Sequence, residues 1–307
     1  MFDVRRSSLR TILYGINVTC TMTSPKNLLK AWNIRAKKRM GQNFLVDPST
    51  ADMIVARSGI AREDIVLEIG AGLGALTIPV ARMVSKVFAV EKDPQLLRLL
   101  QIELKVSNIS NVELIEKNFL DFDIGSFTAQ FSKNPIILGN LPYNISSQVL
   151  IKLINCRKSL SRAILMFQKE LATRLTAQPN RKAYGRLTAM LQYSADIRSL
   201  AHIDANLFFP KPNVDSEVLE ITFKQRSQNI AADEEFLFKV IKAAFGRRRK
   251  TLKNSLAGSE LRISDNIARH ALERAGIDPS RRAETLNVVE FEALSRSLAR
   301  AMEINKK

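Results

Sequence analysis

Cysteine and histidine are both scarce in this chain of 307 residues. There are two of each, Cys20 and Cys156, His202 and His270, and they are too far apart in the sequence for a cluster with zinc-ligand spacing. We therefore expect neither a bound metal ion nor a disulfide. So few cysteines are typical of a reducing compartment, which predicts a cytoplasmic protein.

Long apolar runs and negative charge are also in short supply. No run approaches the roughly 18 apolar residues that a membrane-spanning helix needs. Asp and Glu number 30 against 47 Lys and Arg, which gives a formal net charge of +17. This excess favours a polyanionic partner, first of all nucleic acid, because phosphate contacts release counterions. An anionic membrane surface and a general role in solubility are the alternatives.

The apolar residues that are present, 46% of the chain, follow two patterns. From Asp64 onward, short β-branched runs alternate with segments of helical period, which predicts βαβ units and a mostly parallel sheet. Seven strands are predicted, at 65–69, 87–90, 112–115, 136–138, 163–167, a run ending near Ile203, and 217–223.

Beyond residue 224 the pattern is helical only. We predict one helix behind an Asp233 cap, one closed by Gly276, and one behind Asn287, which forms a capping-box pattern with Glu290. The fold class is therefore α/β, with a seven-stranded Rossmann-like domain over 35–224 and a small all-helical domain over 233–307.

Residues 1–34 form an extension ahead of the predicted sheet. Three arginines among serines and threonines faintly resemble an organelle-targeting peptide, but Asp3 and the missing amphipathic length weaken that interpretation. We favour a translation start at Met22, which would leave residues 1–21 as upstream sequence without a role.

The first predicted strand runs into a glycine-rich turn that contains Gly70, Gly72 and Gly74. Glycine lets the backbone approach a ligand closely at the carboxyl end of a strand, where doubly wound sheets bind cofactors. Glu91, at the end of the second strand, is placed for its carboxylate to accept hydrogen bonds from both hydroxyls of a ribose. Taken singly, the glycines could be a packing turn and Glu91 could be a solvated acid. Taken together, the glycine turn and Glu91 leave two candidate cofactors, a nicotinamide dinucleotide and S-adenosylmethionine.

After the fourth predicted strand come Gly139, Asn140, Leu141, Pro142 and Tyr143. A dehydrogenase has no use for this segment, and its fingerprint is G-x-G-x-x-G rather than the spacing found here. Methylation of adenine N6 does have a use for it, because the N6 lone pair is delocalised into the ring. The side-chain oxygen of Asn140 and the carbonyl of Leu141 can each accept one N6 hydrogen. Pro142 fixes the turn, and Tyr143 offers a ring for a flipped base to stack on. A plain turn is the structural alternative.

Further segments complete a larger pattern. They are 38–45 (KRMGQNFL), 90–93 (VEKD), 167–170 (FQKE), 184–187 (YGRL) and 208–216 (FFPKPNVDS), beside the glycine loop and 139–143. Together they resemble the small-subunit (16S) ribosomal RNA adenine N6,N6-dimethyltransferases, a family related to the erythromycin-resistance methylases and to mitochondrial transcription factors. The resemblance covers roughly residues 35–291.

The resemblance implies a binding site for S-adenosylmethionine. Asn43 and Leu45 would contact the cofactor beside Gly70 and Gly72, and Glu91 would hold its ribose.

At the methyl-transfer centre, the resemblance implies a role for Asn140 and a sandwich of the target adenine between Tyr143 and Phe208. By composition alone, a Phe within the apolar 207–209 cluster is more often a core residue. The family usually has an Asp where this chain has Asn118. The Asn118 side-chain carbonyl can still accept a hydrogen bond from the cofactor's adenine amine, so we expect weaker cofactor binding at most.

The resemblance also implies the reaction and the partner. The expected substrate is a pair of adjacent adenosines in a hairpin loop near the 3′ end of small-subunit ribosomal RNA, presented by an immature 30S subunit during ribosome biogenesis. The residue at position 141 separates two branches of the family. Leu141 favours the housekeeping dimethyltransferases, whereas Ile there would suggest a resistance methylase acting on 23S RNA. A non-catalytic RNA-binding assembly factor is the alternative from a different class. A monomer is the default expectation.

Two basic clusters are candidates for contact with RNA phosphates. They consist of Lys37, Lys38 and Arg39 in the first and Arg247, Arg248, Arg249, Lys250 and Lys253 in the second. Such clusters add affinity without reading sequence. A solvated helix face is the alternative for any of them.

Overall fold

A computed structural model of the chain describes residues 23–224, 231–247 and 249–304. Its main sheet contains the strands β2 (Ile65–Ile69), β3 (Lys86–Glu91), β4 (Val112–Glu116), β5 (Ile136–Asn140), β6 (Arg162–Gln168), β7 (Ala195–Ile203) and β9 (Ser216–Phe223). A second sheet pairs β1 (Phe44–Leu45) with β8 (Phe208–Phe209). The seven predicted strands are confirmed, most of them longer by one or two residues.

The order of strands in the main sheet is β4-β3-β2-β5-β6-β9-β7. The first five are parallel to one another, and β9 runs antiparallel to both β6 and β7. The chain therefore leaves β2 toward β3 on one side and returns to β5 on the other. Ligands of doubly wound sheets bind at the carboxyl ends of the strands at such a reversal.

Successive residues of the central strands enter different cores. Val66 belongs to one apolar cluster and Leu67 to another, as do Ile136 and Ile137 in β5. The side chains of a strand alternate between the two faces of the sheet, so these neighbours lie on opposite faces. Both faces are therefore buried beneath helices. This double burial explains why these strands read in the sequence as continuous apolar runs.

The helices around the sheet are α1 (Pro25–Ala31), α2 (Pro48–Arg57), α3 (Thr77–Ala81), α4 (Pro94–Val106), α5 (Ile124–Thr128), α6 (Ser146–Asn155), α7 (Lys169–Leu175) and α8 (Arg186–Ser194). The helical region contains α9 (Ala231–Ala244), α10 (Leu252–Ala257), α11 (Asp265–Arg274) and α12 (Val288–Ile304). Among the residues described, no helix combines the length and apolarity needed to cross a lipid bilayer.

Two of the three helix ends predicted in the C-terminal region are confirmed. The backbone N–H of Asn287 donates to Glu290 Oε2 at 2.8 Å, and the N–H of Glu290 donates to Asn287 Oδ1 at 2.9 Å, which is a reciprocal capping box. Gly276 follows the end of α11. The Asp233 cap is wrong, because α9 already begins at Ala231. Two alanines, the best helix formers, extend the helix beyond the predicted cap.

The helical region packs directly on the sheet domain. The ring of Phe238 in α9 meets that of Tyr193 in α8 edge-on at 5.7 Å, and Asn180 donates its backbone N–H to the Glu284 carbonyl at 2.8 Å. Leu67 of the sheet and Phe291 of α12 belong to the same apolar cluster. The two predicted domains therefore share a continuous core.

Part of the predicted extension is folded onto the sheet domain. Leu28 and Leu29 of α1 pack in an apolar cluster with Leu96 and Leu99 of α4. The proposed start at Met22 and the residues before it lie outside the described residues.

Candidate functional site

The glycine loop after β2 borders a cavity at the carboxyl ends of β2, β3 and β5. Gly70 and Gly72 have φ angles of 71° and 56°, in the left-handed region that glycine adopts without strain. A Cβ at Gly72 would lie 3.4 Å from the Phe44 ring, so a side chain there would crowd the cavity wall. Gly74 serves packing instead, since a Cβ there would lie 2.6 Å from Leu100 Cδ1.

Glu91 is buried at the end of β3 and lines the same cavity. Its Oε2 accepts from the N–H of Gly72 at 2.9 Å, and its Oε1 accepts from those of Lys92 and Asp93 at 2.8 Å. Burial raises the pKa of Glu91, and the three backbone N–H groups oppose that rise. The carboxylate is thereby held in one orientation, with lone pairs left for hydroxyl donors.

The segment 139–143 closes the cavity at the end of β5. Gly139 lies so near β2 that a Cβ there would come within 2.7 Å of the Ile69 carbonyl oxygen. Asn140 donates from Nδ2 to the backbone carbonyl of Asn43 at 3.1 Å. Its Oδ1 has no hydrogen-bond partner among the described residues, so it is available as an acceptor. Leu141 and Pro142 also line the cavity.

Tyr143 is the lining aromatic residue of that segment. Its hydroxyl lies 3.1 Å from the Ser216 hydroxyl, at the start of β9. Burial raises the pKa of Tyr143, so the phenol stays neutral at physiological pH. The ring is half-buried, and this single hydrogen bond holds it at the edge of the cavity.

Phe208 does not occupy the position that we expected. Its side chain is only 3% exposed and does not border the cavity. It pairs with Leu45 across the small sheet and packs with Ile54 and Met166 in an apolar core cluster. The predicted stacking on adenine is therefore not available to Phe208 in this structure, because its ring is used in the core, as is common for Phe in an apolar run.

Asn118 lines the cavity at the end of β4, where the cofactor's adenine was expected. Its Oδ1 accepts from the N–H of Leu120 at 3.3 Å, and its Nδ2 donates to Asp121 Oδ2 at 2.9 Å. These bonds orient the amide. The oxygen keeps one lone pair for a further donor.

Glu68 is a cavity residue to which the sequence interpretation gave no role. It is 2% exposed, and its Oε2 has no partner among the described residues. Burial raises the pKa of Glu68 to about 8, with a contribution in the same direction from the charge of Glu91. The signal was present in the sequence, because an acid two residues before Gly70 interrupts an otherwise apolar strand.

The residues 37–45, which we call the strap, run along the cavity. Asn43 and Leu45 line it as expected, together with Arg39, Met40, Gly41, Gln42 and Phe44. The pairing of β1 with β8 anchors the carboxyl end of the strap. All seven residues predicted to bind the cofactor therefore border one cavity, namely Asn43, Leu45, Gly70, Gly72, Glu91, Asn118 and Asn140.

The predicted phosphate-binding residues differ in their surroundings. Lys37 forms an ion pair with buried Asp93 at 2.7 Å, and Lys253 forms one with Asp265 at 2.8 Å, so both charges are compensated within the protein. Arg247 donates to the Gly258 carbonyl at 2.9 Å. Arg39, Arg249 and Lys250 are exposed. Arg248 and the side chain of Lys38 lie outside the described residues.

Comparison with known proteins identifies the family. The family model described as ribosomal RNA adenine dimethylase matches residues 33–299. The chain belongs to the ribosomal RNA adenine dimethylase family. A relative from Desulforapulum autotrophicum, named ribosomal RNA small subunit methyltransferase A, is 51% identical over 90% of this chain and 97% of its own. One from Anoxybacillus flavithermus with the same name is 37% identical over 91% and 95%.

Solved structures share the fold of this adenine dimethylase. A dimethyladenosine transferase from Plasmodium falciparum matches with a TM-score of 0.70 and 25% identity, over 86% of this chain and 98% of that one. The 23S rRNA methyltransferase ErmE matches with a TM-score of 0.64 and 24% identity, over 83% and 99%. The second likeness concerns the fold alone.

The adenine dimethylase is an enzyme that uses S-adenosylmethionine as its methyl donor. The cavity fits this cofactor. The glycine loop leaves open the space that a Cβ at Gly72 would fill, and Glu91 has a fixed carboxylate that could accept hydrogen bonds from a ribose. The unpartnered carboxyl oxygen of Glu68 is a further polar group at the cavity wall.

Proposed function

We propose that this enzyme transfers methyl groups from S-adenosylmethionine to N6 of two adjacent adenosines in a 3′-end hairpin loop of small-subunit (16S) ribosomal RNA. The product is N6,N6-dimethyladenosine, formed during ribosome biogenesis. One observation carries the proposal: Asn140 is held by its amide nitrogen, and its amide oxygen remains as a fixed acceptor at the cavity.

The chemistry of N6 explains why such an acceptor matters. Asn140 Oδ1 and the Leu141 carbonyl would each accept one N6 hydrogen, which draws the nitrogen lone pair out of conjugation with the ring. The cofactor supplies a methyl group on a sulfonium, which is an excellent leaving group. Because N6 becomes acidic once methylated, the enzyme needs no strong general base, and positioning provides most of the acceleration.

Base stacking would place the adenine for this reaction. Tyr143 presents an aromatic ring at the cavity close to Asn140, and stacking of a base on an aromatic side chain contributes roughly 1 to 3 kcal/mol. Pro142 gives the loop its fixed turn, and its carbonyl accepts from the Ser146 hydroxyl at 3.0 Å. The adenine must leave its stack in the RNA to reach this site.

The proposed partner is an immature 30S subunit in the cytoplasm, bound by an enzyme monomer. The names of the relatives, which specify the small subunit, support this choice of substrate. Arg39, Arg249 and Lys250 are the exposed cations that we propose to contact RNA phosphates, since Lys37 and Lys253 are already paired.

The decisive experiment is a labelling assay. Purified protein is incubated with radiolabelled S-adenosylmethionine and undermethylated small subunits, and with large subunits in parallel, and the label is mapped on the RNA. We expect label on two adjacent adenosines near the 3′ end of the small-subunit RNA. Label on large-subunit RNA would instead indicate a resistance methylase, and absence of label from both would indicate an RNA-binding assembly factor.

A further inference from the structure

The strap is tied to the protein on two sides of the cofactor cavity. On the catalytic side, Asn140 donates to the Asn43 carbonyl at 3.1 Å and Asn144 donates to the Arg39 carbonyl at 3.4 Å. On the opposite side the strap meets a single buried carboxylate, that of Asp93. The strap therefore bridges the catalytic loop and the end of β3.

The contacts of Asp93 form a closed arrangement. Its Oδ2 accepts from Lys37 Nζ at 2.7 Å and from Gln42 Nε2 at 3.0 Å, and Gln42 Oε1 in turn accepts from the Lys37 backbone N–H at 2.7 Å. Burial works against ionisation, but the bonds from Lys37 and Gln42 keep the pKa of Asp93 below its ordinary value. The carboxylate is thus a charged anchor for both ends of the segment 37–42.

Helix capping alone does not account for this arrangement. Asp93 caps α4 through Oδ1, which accepts from the Gln95 N–H at 3.1 Å. A cap of this kind works with an exposed aspartate. Here the residue is 1% exposed, and its other oxygen is given wholly to the strap. Burying a charge is unfavourable unless its partners compensate it, so the contact holds the strap in one position.

The anchor is also connected to the site that we assign to the ribose. The backbone N–H of Asp93 donates to Glu91 Oε1 at 2.8 Å. Gln42 and Met40, between the anchor and Asn43, border the cavity. The anchor therefore contacts Glu91 directly, and the strap residues beyond it line the same cavity.

We propose that Asp93, Lys37 and Gln42 form a latch that positions the strap over S-adenosylmethionine and determines how long the cofactor stays bound. They are positioning residues, because the side-chain atoms that form the latch make their hydrogen bonds with one another. The proposal rests on the cavity being the cofactor site. The pairing of β1 with β8 holds Phe44 and Leu45, directly after Asn43, and Asn140 holds the Asn43 carbonyl. Loosening the latch should therefore affect cofactor retention more than the catalytic step.

The chain offers a matched control at the other end of the sheet. Lys133 Nζ lies 2.6 Å from Asp64 Oδ1, and Asp64 is buried just before β2. Lys37→Met and Lys133→Met therefore remove the same kind of ion pair, one beside the cavity and one remote from it. Gln42→Leu removes the second donor of the latch without changing charge.

The test measures S-adenosylmethionine binding without RNA, by calorimetry and by stopped-flow dissociation, beside thermal unfolding. We expect Lys37→Met and Gln42→Leu to raise the Kd about tenfold, mainly through faster dissociation, with KM rising more than kcat falls. Lys133→Met should leave the Kd within about twofold while lowering the Tm comparably. Lys37→Arg, which keeps the charge, should restore most of the affinity.

Two outcomes would overturn the latch. Equal Kd values for the wild type and both latch variants would reduce the contact to ordinary fold stabilisation, as would an equal loss of affinity in Lys133→Met. The Kd changes are separable from the proposed substrate. If they occur as expected while small-subunit RNA takes up no label, the latch stands and the proposed function fails.

Discussion

The side chain of Asn140 donates to the backbone carbonyl of Asn43 across 3.1 Å, joining the last residue of β5 to the strap. This bond fixes the orientation of the amide, because only its nitrogen can donate to a carbonyl. The nitrogen therefore faces Asn43. An aspartate at this position would carry no donor and would face the carbonyl with a second oxygen. The contact therefore requires an amide at residue 140.

Asn140→Ala should lower methylation at least about a hundredfold while leaving RNA affinity within about twofold. The loss is comparable to the removal of one preorganised hydrogen-bonding group from other active sites. Single-turnover labelling and RNA binding measure the two effects. Asn134→Ala is the control, because Asn134 donates to the Lys158 carbonyl far from the cavity. Normal methylation by Asn140→Ala would contradict the assigned role.

The two functions of Tyr143 can be separated by a pair of variants. Tyr143→Phe removes the contact with Ser216 but keeps the ring, so we expect less than about a threefold fall in rate. Tyr143→Ala removes the stacking surface and should cost about 10- to 100-fold, in line with ~1–3 kcal/mol per stacked base. An equal fall in rate for the two variants would mean that the hydroxyl, rather than the ring, is what matters, and wild-type rates for both would contradict any role of Tyr143.

Glu68 should make stability depend on pH. Its pKa rises from an ordinary 4.5 to about 8 in the folded protein, so between these values the unfolded chain releases a proton that the folded chain keeps. The free energy of unfolding contributed by this group therefore falls as pH rises from about 5 to about 8. Glu68→Gln cannot titrate, so its stability relative to wild type should increase over this range by a few kcal/mol.

Urea unfolding without cofactor at pH 5 to 9 measures this difference. Glu113→Gln, which changes an exposed glutamate, is the control and should follow the wild-type curve. A constant difference between Glu68→Gln and wild type at all pH values would show that the buried carboxyl is ionised in the folded state.

The exposed and the paired lysines of the second basic cluster should differ in RNA binding. Lys250→Ala removes an exposed charge and should weaken binding and reduce the slope of log affinity against log salt by nearly 1. Lys253→Ala should change this slope less, because Asp265 already compensates the charge. Salt titrations of RNA binding distinguish the two. Similar slopes for both variants would argue against phosphate contact by Lys250.

The sequence predicts the main sheet well because its strands are buried on both faces. Continuous β-branched runs at 65–69 and 163–167 leave little choice of structure. The two-residue strands β1 and β8 escape such an analysis, since Phe44–Leu45 and Phe208–Phe209 contain too few residues for any periodicity. Their pairing is a long-range contact, and nothing in either local pattern indicates it.

The same distinction applies to the site. The positions fixed by strand ends, Glu91 and Asn140, could be placed from the sequence because strand order brings them to one edge. Lys37 and Phe208 could not, since the first depends on burial of Asp93 beneath the strap and the second on packing between two sheets. Composition indicated a basic protein, but only tertiary contacts reveal which cations are already neutralised.

The pairing of Phe44 with Phe209 has a consequence for synthesis on the ribosome. More than half of the chain separates these residues, so the amino-terminal rim of the cofactor cavity lacks its strand partner until residue 209 has emerged from the exit tunnel. The glycine loop, Glu91 and the Asn140 segment are all made earlier. A nascent chain that ends before residue 209 should therefore contain these cavity residues while the strap still lacks its partner strand β8. Stable binding of the methyl donor should begin only late in translation.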